Sequence, residues 1–359
     1  MRTARMKLII QIPCFNEEQT LPLVLADLPR RVDGFDAVQW LIIDDGSTDK
    51  TIDVARAGGV DHIVRLTNNK GLAAGFQAGL DACLKLGADV IVNTDGDNQY
   101  NGEDIPKLVL PIVSGTADMV VGNREVHKIE HFSPLKVTLQ RLGSWVVRQA
   151  SSTEVPDTTS GFRAYNREAA IQMAVVSKFT YTLETIIQAG KQLVAVDHVA
   201  IRTNPKTRES RLFPSMWSYV RRNSVSIFRI YSQYEPLRVF MTAAAVMGLI
   251  AFVVWGRFAY FYVFEDEGKG HVQSLILGAV LFNAAMVLAA LGVMGDLMSA
   301  QRTMIQRTFE RVRRIELQLG VAPSHYEPGA GGGAGQAPTT GADAGAATGK
   351  TEERDVVHL

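Results

Sequence analysis

Hydrophobic positions divide the chain into two unequal parts. In the first, short apolar runs alternate with amphipathic stretches: Leu8–Ile12, Gln39–Ile43, His62–Arg65, Asp89–Asn93 and Asp118–Val121 read as strands, and intervening segments such as Leu21–Leu28 read as helices. Strands that alternate with helices predict an α/β fold with a mostly parallel, doubly wound sheet, here assigned to residues 1–212. Arg2, Arg5 and Lys7 ahead of Leu8–Ile12 mimic a signal peptide, but the apolar run is too short for one and fits a first buried strand.

The last third changes character. Leu237–Trp255 and Val272–Leu297 are long apolar runs, each near or above the roughly 20 residues that span hydrocarbon, so a two-helix transmembrane hairpin is expected over 237–300. Its connection, 265–271, carries one lysine. Arg221, Arg222, Arg229 and Arg238 precede the hairpin, and Arg302, Arg307, Arg311, Arg313 and Arg314 follow it. That asymmetry places the hairpin tip outside and both termini, with the α/β domain, in the cytoplasm. Arg257 falls near the outer interface beside Phe258, Tyr260, Phe261 and Tyr262, where it can snorkel. Residues 213–236 mix Trp217, Tyr219, Phe228 and Tyr231 with arginines and read as an amphipathic helix on the membrane surface. A charged helix is expected over 301–322, and the Gly/Ala-rich stretch within 323–359 predicts a disordered tail.

Composition narrows the function classes. Lys+Arg equals Asp+Glu at 37 each, which argues against a nucleic-acid binder, while 47% hydrophobic residues suit a membrane-attached protein. Cys14 and Cys83 are the only cysteines, with no metal-binding spacing, and point to a reducing cytosol. The histidines form no metal pattern: His127 and His131 could share a helix face but lack a third ligand. Ser160 has no nucleophile-elbow context.

Chemistry concentrates where strands end. Asp95, Asp97 and Gln99 follow the fourth run at alternate positions, a spacing that can gather oxygen ligands around a hard cation such as Mg²⁺ or Mn²⁺, with substrate phosphates completing its shell. An acidic turn explains the same triplet. Asp44 and Asp45 follow the second run, and Ser47 or Thr48 can cap the next helix, but capping does not account for the paired aspartates. In an open α/β sheet both clusters would face one crevice. Gly71, Gly75 and Gly79 recur on one helix face, as needed for close packing on a sheet, and the helix start at Lys70 and Gly71 can also present amides to a diphosphate.

Taken in order, IPCFNEE at 12–18, DDGSTD at 44–49 and DGDNQ at 95–99 resemble family 2 glycosyltransferases, which have the nucleotide-sugar-binding GT-A fold. GNR at 122–124, DTTSGFRAYNRE at 157–168 and the two apolar spans are similar to the polyprenyl-phosphate subset, of the dolichyl-phosphate mannose synthase type. The resemblance implies that Pro13, Phe15, Glu17 and Asp45 serve the nucleotide, that Asp95, Asp97 and Gln99 hold a metal-diphosphate, and that Asp157 forms the active-site floor. It also implies acceptor-phosphate contacts from Arg124, Arg141 and the Arg208, Ser210, Arg211 loop. Arginine at 211 stands where lysine is usual, and Phe15 where tyrosine is common. The implied reaction is inverting transfer from a UDP- or GDP-sugar to a polyprenyl phosphate, in a multi-pass protein of a bacterial inner membrane. Similar enzymes can pack as homo-oligomers. A lipid phosphomonoester, with a second pKa near ~6, is already largely ionised at neutral pH and needs no strong general base. The competing readings are another lipid or glycan acceptor, and a nucleotide-sugar-binding scaffold without activity. A processive synthase is disfavoured because no Gln-x-x-Arg-Trp signature surrounds Trp40, Trp145, Trp217 or Trp255.

Overall fold

The computed structural model describes residues 6–125, 148, 151, 153–175, 181–205, 225, 228–229, 231–264 and 272–331. At its centre β1 (Lys7–Cys14) pairs in parallel with β2 (Ala37–Asp44) on one side and β4 (Val90–Asn93) on the other, and β3 (His62–Arg65) extends the sheet beyond β2. β1 is buried from Leu8 onward and β4 throughout, which is why both read as near-continuous apolar runs. The strands alternate with α1 (Leu21–Asp27), α2 (Thr51–Ala57), α3 (Leu72–Lys85) and α4 (Ile105–Val113), followed by β5 (Met119–Asn123). These are the strands read from the sequence.

Three further strands make the sheet mixed, in the order β7-β5-β6-β4-β1-β2-β3-β8. β6 (Arg163–Asn166) inserts antiparallel between β4 and β5, β7 (Val196–Ala200) lies parallel to β5, and β8 (Tyr326–Pro328) lies antiparallel to β3. None has an apolar run long enough to betray it: β6 opens on an arginine, β7 carries Asp197 and His198, and β8 is three residues long.

Alternation along the strands divides the core. Leu8, Ile10, Ile12, Ile42 and Val92 face one apolar layer, whereas Ile9, Leu41, Ile43 and Ile91 face another with Phe76, Leu80 and Cys83 of α3. The glycine face of α3 lies on the sheet as expected. A Cβ at Gly79 would stand 2.7 Å from both Gln11 Oε1 and Ile43 Cδ1, and only glycine permits that approach. α5 (Arg167–Gln172) and α6 (Thr182–Lys191) cover the same face.

α7 (Pro236–Phe264) and α8 (Val272–Gln318) are the two candidate membrane spans; most of their large apolar side chains are exposed. They pack on each other through Gly248 against Ala285, Gly292 against Phe240, and an aromatic cluster of Phe252, Trp255 and Phe282. The Arg257 guanidinium lies over the Phe261 ring, 5.5 Å from its centre.

Two expected boundaries are corrected. The charged segment 301–322 is no separate helix: α8 continues unbroken from the apolar span to Gln318 and docks on the α/β domain. Arg313 is buried there, its Nη1 2.9–3.1 Å from the carbonyls of Ala170, Ile171 and Met173 at the end of α5. Ala170 O also accepts from Met173 N at the helix end, and the carbonyls there carry the negative end of the helix dipole, so a cation is the fitting occupant. The stretch expected as tail from 323 is structured as far as it is described: Tyr326–Pro328 is β8, Gly329 and Gly331 donate to Asp61 O and Val60 O, and residues 332–359 lie outside the described residues. The expected 213–236 helix and the 265–271 connection fall mostly or wholly outside the described residues.

Candidate active site

The carboxyl ends of β1, β2, β4 and β5 converge on one edge of the sheet, and each carries part of the sequence-derived set. After β1 the chain turns through Asn16, at a positive φ of 55°. Asn16 and Glu17 donate their amides to Ser47 Oγ (2.9 Å) and Thr51 Oγ1 (2.8 Å), and Asn16 Oδ1 accepts from the Thr48 amide (2.8 Å). Thus Ser47, Thr48 and Thr51 tie the first motif to the second. Glu17 is buried beside Thr20, whose hydroxyl lies 2.6 Å from Glu17 Oε2 and 2.8 Å from Gly96 O, so the first motif also touches the third. The Phe15 side chain is exposed at the surface of this turn. Cys14 is buried against this turn, where burial and then Glu17 push its thiol well up, so it is inert as a nucleophile.

Asp45 has a specific task in the fold. Its Oδ1 accepts from the Lys70 amide (2.7 Å) and its Oδ2 from the Gly71 amide (2.8 Å). The amides that the sequence offered to a diphosphate are therefore engaged by Asp45. Asp44 accepts from Ser47 N and lies 3.6 Å from Arg65 Nε.

At the end of β4, Asp97 Oδ1 accepts from Gln99 N (3.0 Å), and Gln99 O in turn accepts from Asn204 N (2.9 Å). Asp95 Oδ1 is buried without a hydrogen-bond partner among the described residues. Burial, reinforced by the neighbouring Asp97, pushes the Asp95 carboxyl up to about 7. An orphaned buried oxygen in a crowded acidic pair is costly unless something positive meets it. The donor set is oxygen throughout and fits Mg²⁺ or Mn²⁺ held by two carboxylates, with substrate phosphates supplying further ligands.

Arg124 follows β5 and grips Asp157 in a fork: Nε donates to Oδ2 (2.7 Å) and Nη2 to Oδ1 (3.0 Å), while Nη2 also reaches Thr159 Oγ1 (2.8 Å). Burial alone would raise Asp157, but the Arg124 guanidinium overrides it and holds the carboxyl below its ordinary value. Arg141, Arg208, Ser210 and Arg211 lie outside the described residues. Among the described residues ahead of Arg208, Arg202 donates through its amide and guanidinium to Asp104.

Sequence reasoning passed over the residues that support this floor. Arg163, completely buried, donates to Ser160 O (2.7 Å), Thr158 O (2.9 Å), Thr182 O (2.7 Å) and Thr185 Oγ1 (2.6 Å). It clamps the 157–161 loop to α6. Tyr100 Oη accepts from Gly161 N, and Asn93 Nδ2 donates to Gly161 O and Tyr181 Oη. The only advance signal was the position of Arg163 and Gly161 inside the 157–168 motif.

Comparison with known proteins agrees with this set of motifs. The family model for glycosyl transferase family 2 matches residues 9–173. The undecaprenyl-phosphate mannosyltransferase of Micrococcus luteus is 29% identical over 204 residues, covering 53% of this chain and 82% of the relative. An uncharacterized glycosyltransferase of Mycobacterium bovis is 30% identical over 199 residues, covering 55% and 85%. The UDP-N-acetylglucosamine–dolichyl-phosphate N-acetylglucosaminyltransferase of Methanococcus voltae is 27% identical over 213 residues, covering 54% and 83%.

Proposed function

The chain belongs to glycosyl transferase family 2, and on that basis we propose that this glycosyltransferase moves a sugar from a nucleotide-sugar to a membrane polyprenyl phosphate, with inversion at the anomeric carbon. The observation that carries the reading is the unpartnered, buried Asp95 Oδ1 beside Asp97 at the mouth of β4, within reach of the motif that surrounds Glu17. Two relatives whose names state a polyprenyl or dolichyl phosphate acceptor support the acceptor class.

In this reading Phe15 stacks on the base and Glu17 contacts the nucleoside, while Asp45 acts through the Lys70–Gly71 loop that it holds. Asp95, Asp97 and Gln99 would hold the divalent cation, whose chemistry is to neutralise charge that develops on the departing diphosphate. Asp157 is a poor base because its charge is committed to Arg124. A phosphate acceptor, already ionised, asks for none. Arg124, oriented by Asp157 and Thr159, is positioned to face the acceptor phosphate, with Arg141, Arg208, Ser210 and Arg211 as further contacts. The arginine asymmetry around α7 and α8 supports a cytoplasmic catalytic domain, and in this reading the membrane is a bacterial inner membrane.

The test is sugar transfer by the full-length chain in detergent, from a panel of UDP- and GDP-sugars to undecaprenyl and dolichyl phosphate with Mg²⁺ or Mn²⁺. One donor should give a lipid-linked product, and Asp97→Ala should lower its rate by roughly a hundredfold or more. Nucleotide binding with no lipid-linked product from any donor would overturn the acceptor assignment.

A further inference from the structure

The membrane hairpin and the floor of the active site meet on one helix. α6 carries Glu184, a buried carboxylate in its first turn, and Arg302 of α8 donates to Glu184 Oε1 at 2.7 Å. The Arg302 guanidinium is also stacked over the Tyr234 ring, 4.4 Å from its centre, just before α7 begins. At the far end of α6, Lys191 pairs with Glu235, the residue that precedes α7. Both membrane helices therefore meet the cytoplasmic domain on α6. The same first turn of α6 holds the catalytic loop, because Thr182 O and Thr185 Oγ1 accept from Arg163, whose other donors go to Thr158 O and Ser160 O. Tyr181, at the N-terminus of α6, adds a second tie: its hydroxyl donates to Gly161 O at 3.3 Å, and its ring is stacked 4.0 Å from Phe76.

We propose that Glu184 is a positioning residue for the 157–161 loop: with Arg302 seated on it, α6 is held where Arg163 can clamp the loop that presents Asp157 to Arg124. The hairpin then does more than anchor the protein. It fixes the geometry of the acceptor end of the site, so that the domain is competent only while seated on its own membrane helices. A buried carboxylate deprived of its cation either takes up a proton or turns toward water, and either change moves the first turn of a helix whose next contacts belong to the catalytic loop. Proposed sugar transfer is the basis for the kinetic half of the test only.

The experiment uses the full-length protein in phosphatidylglycerol-containing nanodiscs, comparing wild type with Arg302→Gln, Arg302→Lys, and the exposed-position control Arg307→Gln on the same helix. Hydrogen exchange of the peptide covering 157–163 is measured together with kcat and KM for donor and for polyprenyl phosphate. Arg302→Gln should speed exchange in that peptide about tenfold and lower kcat by a similar factor while the donor KM stays within about twofold. Arg302→Lys should recover more than half of both effects, and Arg307→Gln should match wild type. The proposal is overturned if Arg302→Gln loosens only α6 and α8 and leaves the loop as in wild type, or if lysine rescues nothing. Should wild type form no lipid-linked product, the transfer reading fails while the exchange comparison still decides this one. Glu184→Gln, which keeps shape and removes charge, repeats the test if Arg302→Gln does not fold.

Discussion

Arg124 and Asp157 form a nearly buried pair, and each determines the chemistry of the other. The residue that the resemblance assigns to the acceptor phosphate carries a guanidinium aimed by a carboxylate. Asp157→Asn leaves that guanidinium uncompensated and is expected to cost about 3–5 kcal/mol, read as a fall in the unfolding midpoint in detergent. The pH sign follows from the direction of the shift. The Asp157 carboxyl is held below its ordinary value, so its contribution is complete above the unfolded pKa near ~3.9 and is lost as pH falls through the folded value. Acid sensitivity below about pH 4 should therefore be weaker in Asp157→Asn than in wild type. Gly161 makes a sharper case. A Cβ there would stand 2.7 Å from Tyr181 Oη and 2.9 Å from Asp95 Oδ2, against a buried hydroxyl and a proposed metal ligand. Gly161→Ala should destabilise by about 1–3 kcal/mol and weaken Mn²⁺-dependent nucleotide binding in calorimetry. Unchanged Mn²⁺ dependence would show that Asp95 does not serve the metal.

Among the elements, β8 shows how a distant segment completes a sheet. It covers the edge of β3, with Arg65 N donating to His325 O and Arg56 paired with Glu327. His62 of β3 is central to the contact: its Nδ1 lies 2.9 Å from Tyr326 Oη and its Nε2 3.0 Å from Gln39 Oε1. Burial lowers the His62 pKa, outweighing Asp61, so the folded state favours neutral imidazole. Its stabilising contribution is present above the unfolded pKa of about 6.5 and is lost as pH falls toward the folded value. Hydrogen exchange at the β3 and β8 amides, corrected for intrinsic rates, should thus report weaker protection at pH 5.5 than at 7.5, both about one unit from the unfolded pKa. His62→Phe should flatten that dependence. A pH-independent wild type would mean that His62 binds protons alike in the folded and unfolded states, so that its burial against Tyr326 and Gln39 does not perturb it.

At the scale of the complete chain, α8 is a continuous strut from the candidate span to the catalytic domain, and the chain beyond it returns to the sheet. Arg313 closes the end of α5, Arg314 pairs with Glu168, and Lys85 pairs with Glu316, so the helix is fastened on several faces. Removing residues 321–359 leaves this strut but strips β8, exposing the amides and carbonyls of β3. The truncated protein should unfold at lower temperature and self-associate as concentration rises, because a bare edge is a template for another chain. Light scattering with a thermal melt reads both effects. A truncated protein that melts and scatters light like the full chain would show that β8 adds nothing to the sheet.

Much of this architecture is legible in the amino-acid sequence alone. The runs at Leu8–Ile12, Gln39–Ile43 and Asp89–Asn93 are adjacent parallel strands, and two apolar helices stand where hydropathy puts them. Those features depend on neighbouring residues and on the periods of 2.0 and 3.6, which a sequence displays directly. The acidic residues are legible too, but only as strand-end clusters. Which groups meet is a property of the folded chain: Asp45 takes the Lys70 and Gly71 amides, Arg124 takes Asp157, Arg163 clamps the loop to α6, and Arg302 reaches Glu184 across 118 residues. Such pairings depend on which strand ends are brought together and which polar groups lose their water there. Local periodicity and burial therefore suffice to specify the apolar strands β1 to β5, the candidate spans and the acidic clusters, but not the polar or short strands β6, β7 and β8. How each charge is used is specified at the tertiary level, because a buried charge is governed by the partner that folding places beside it.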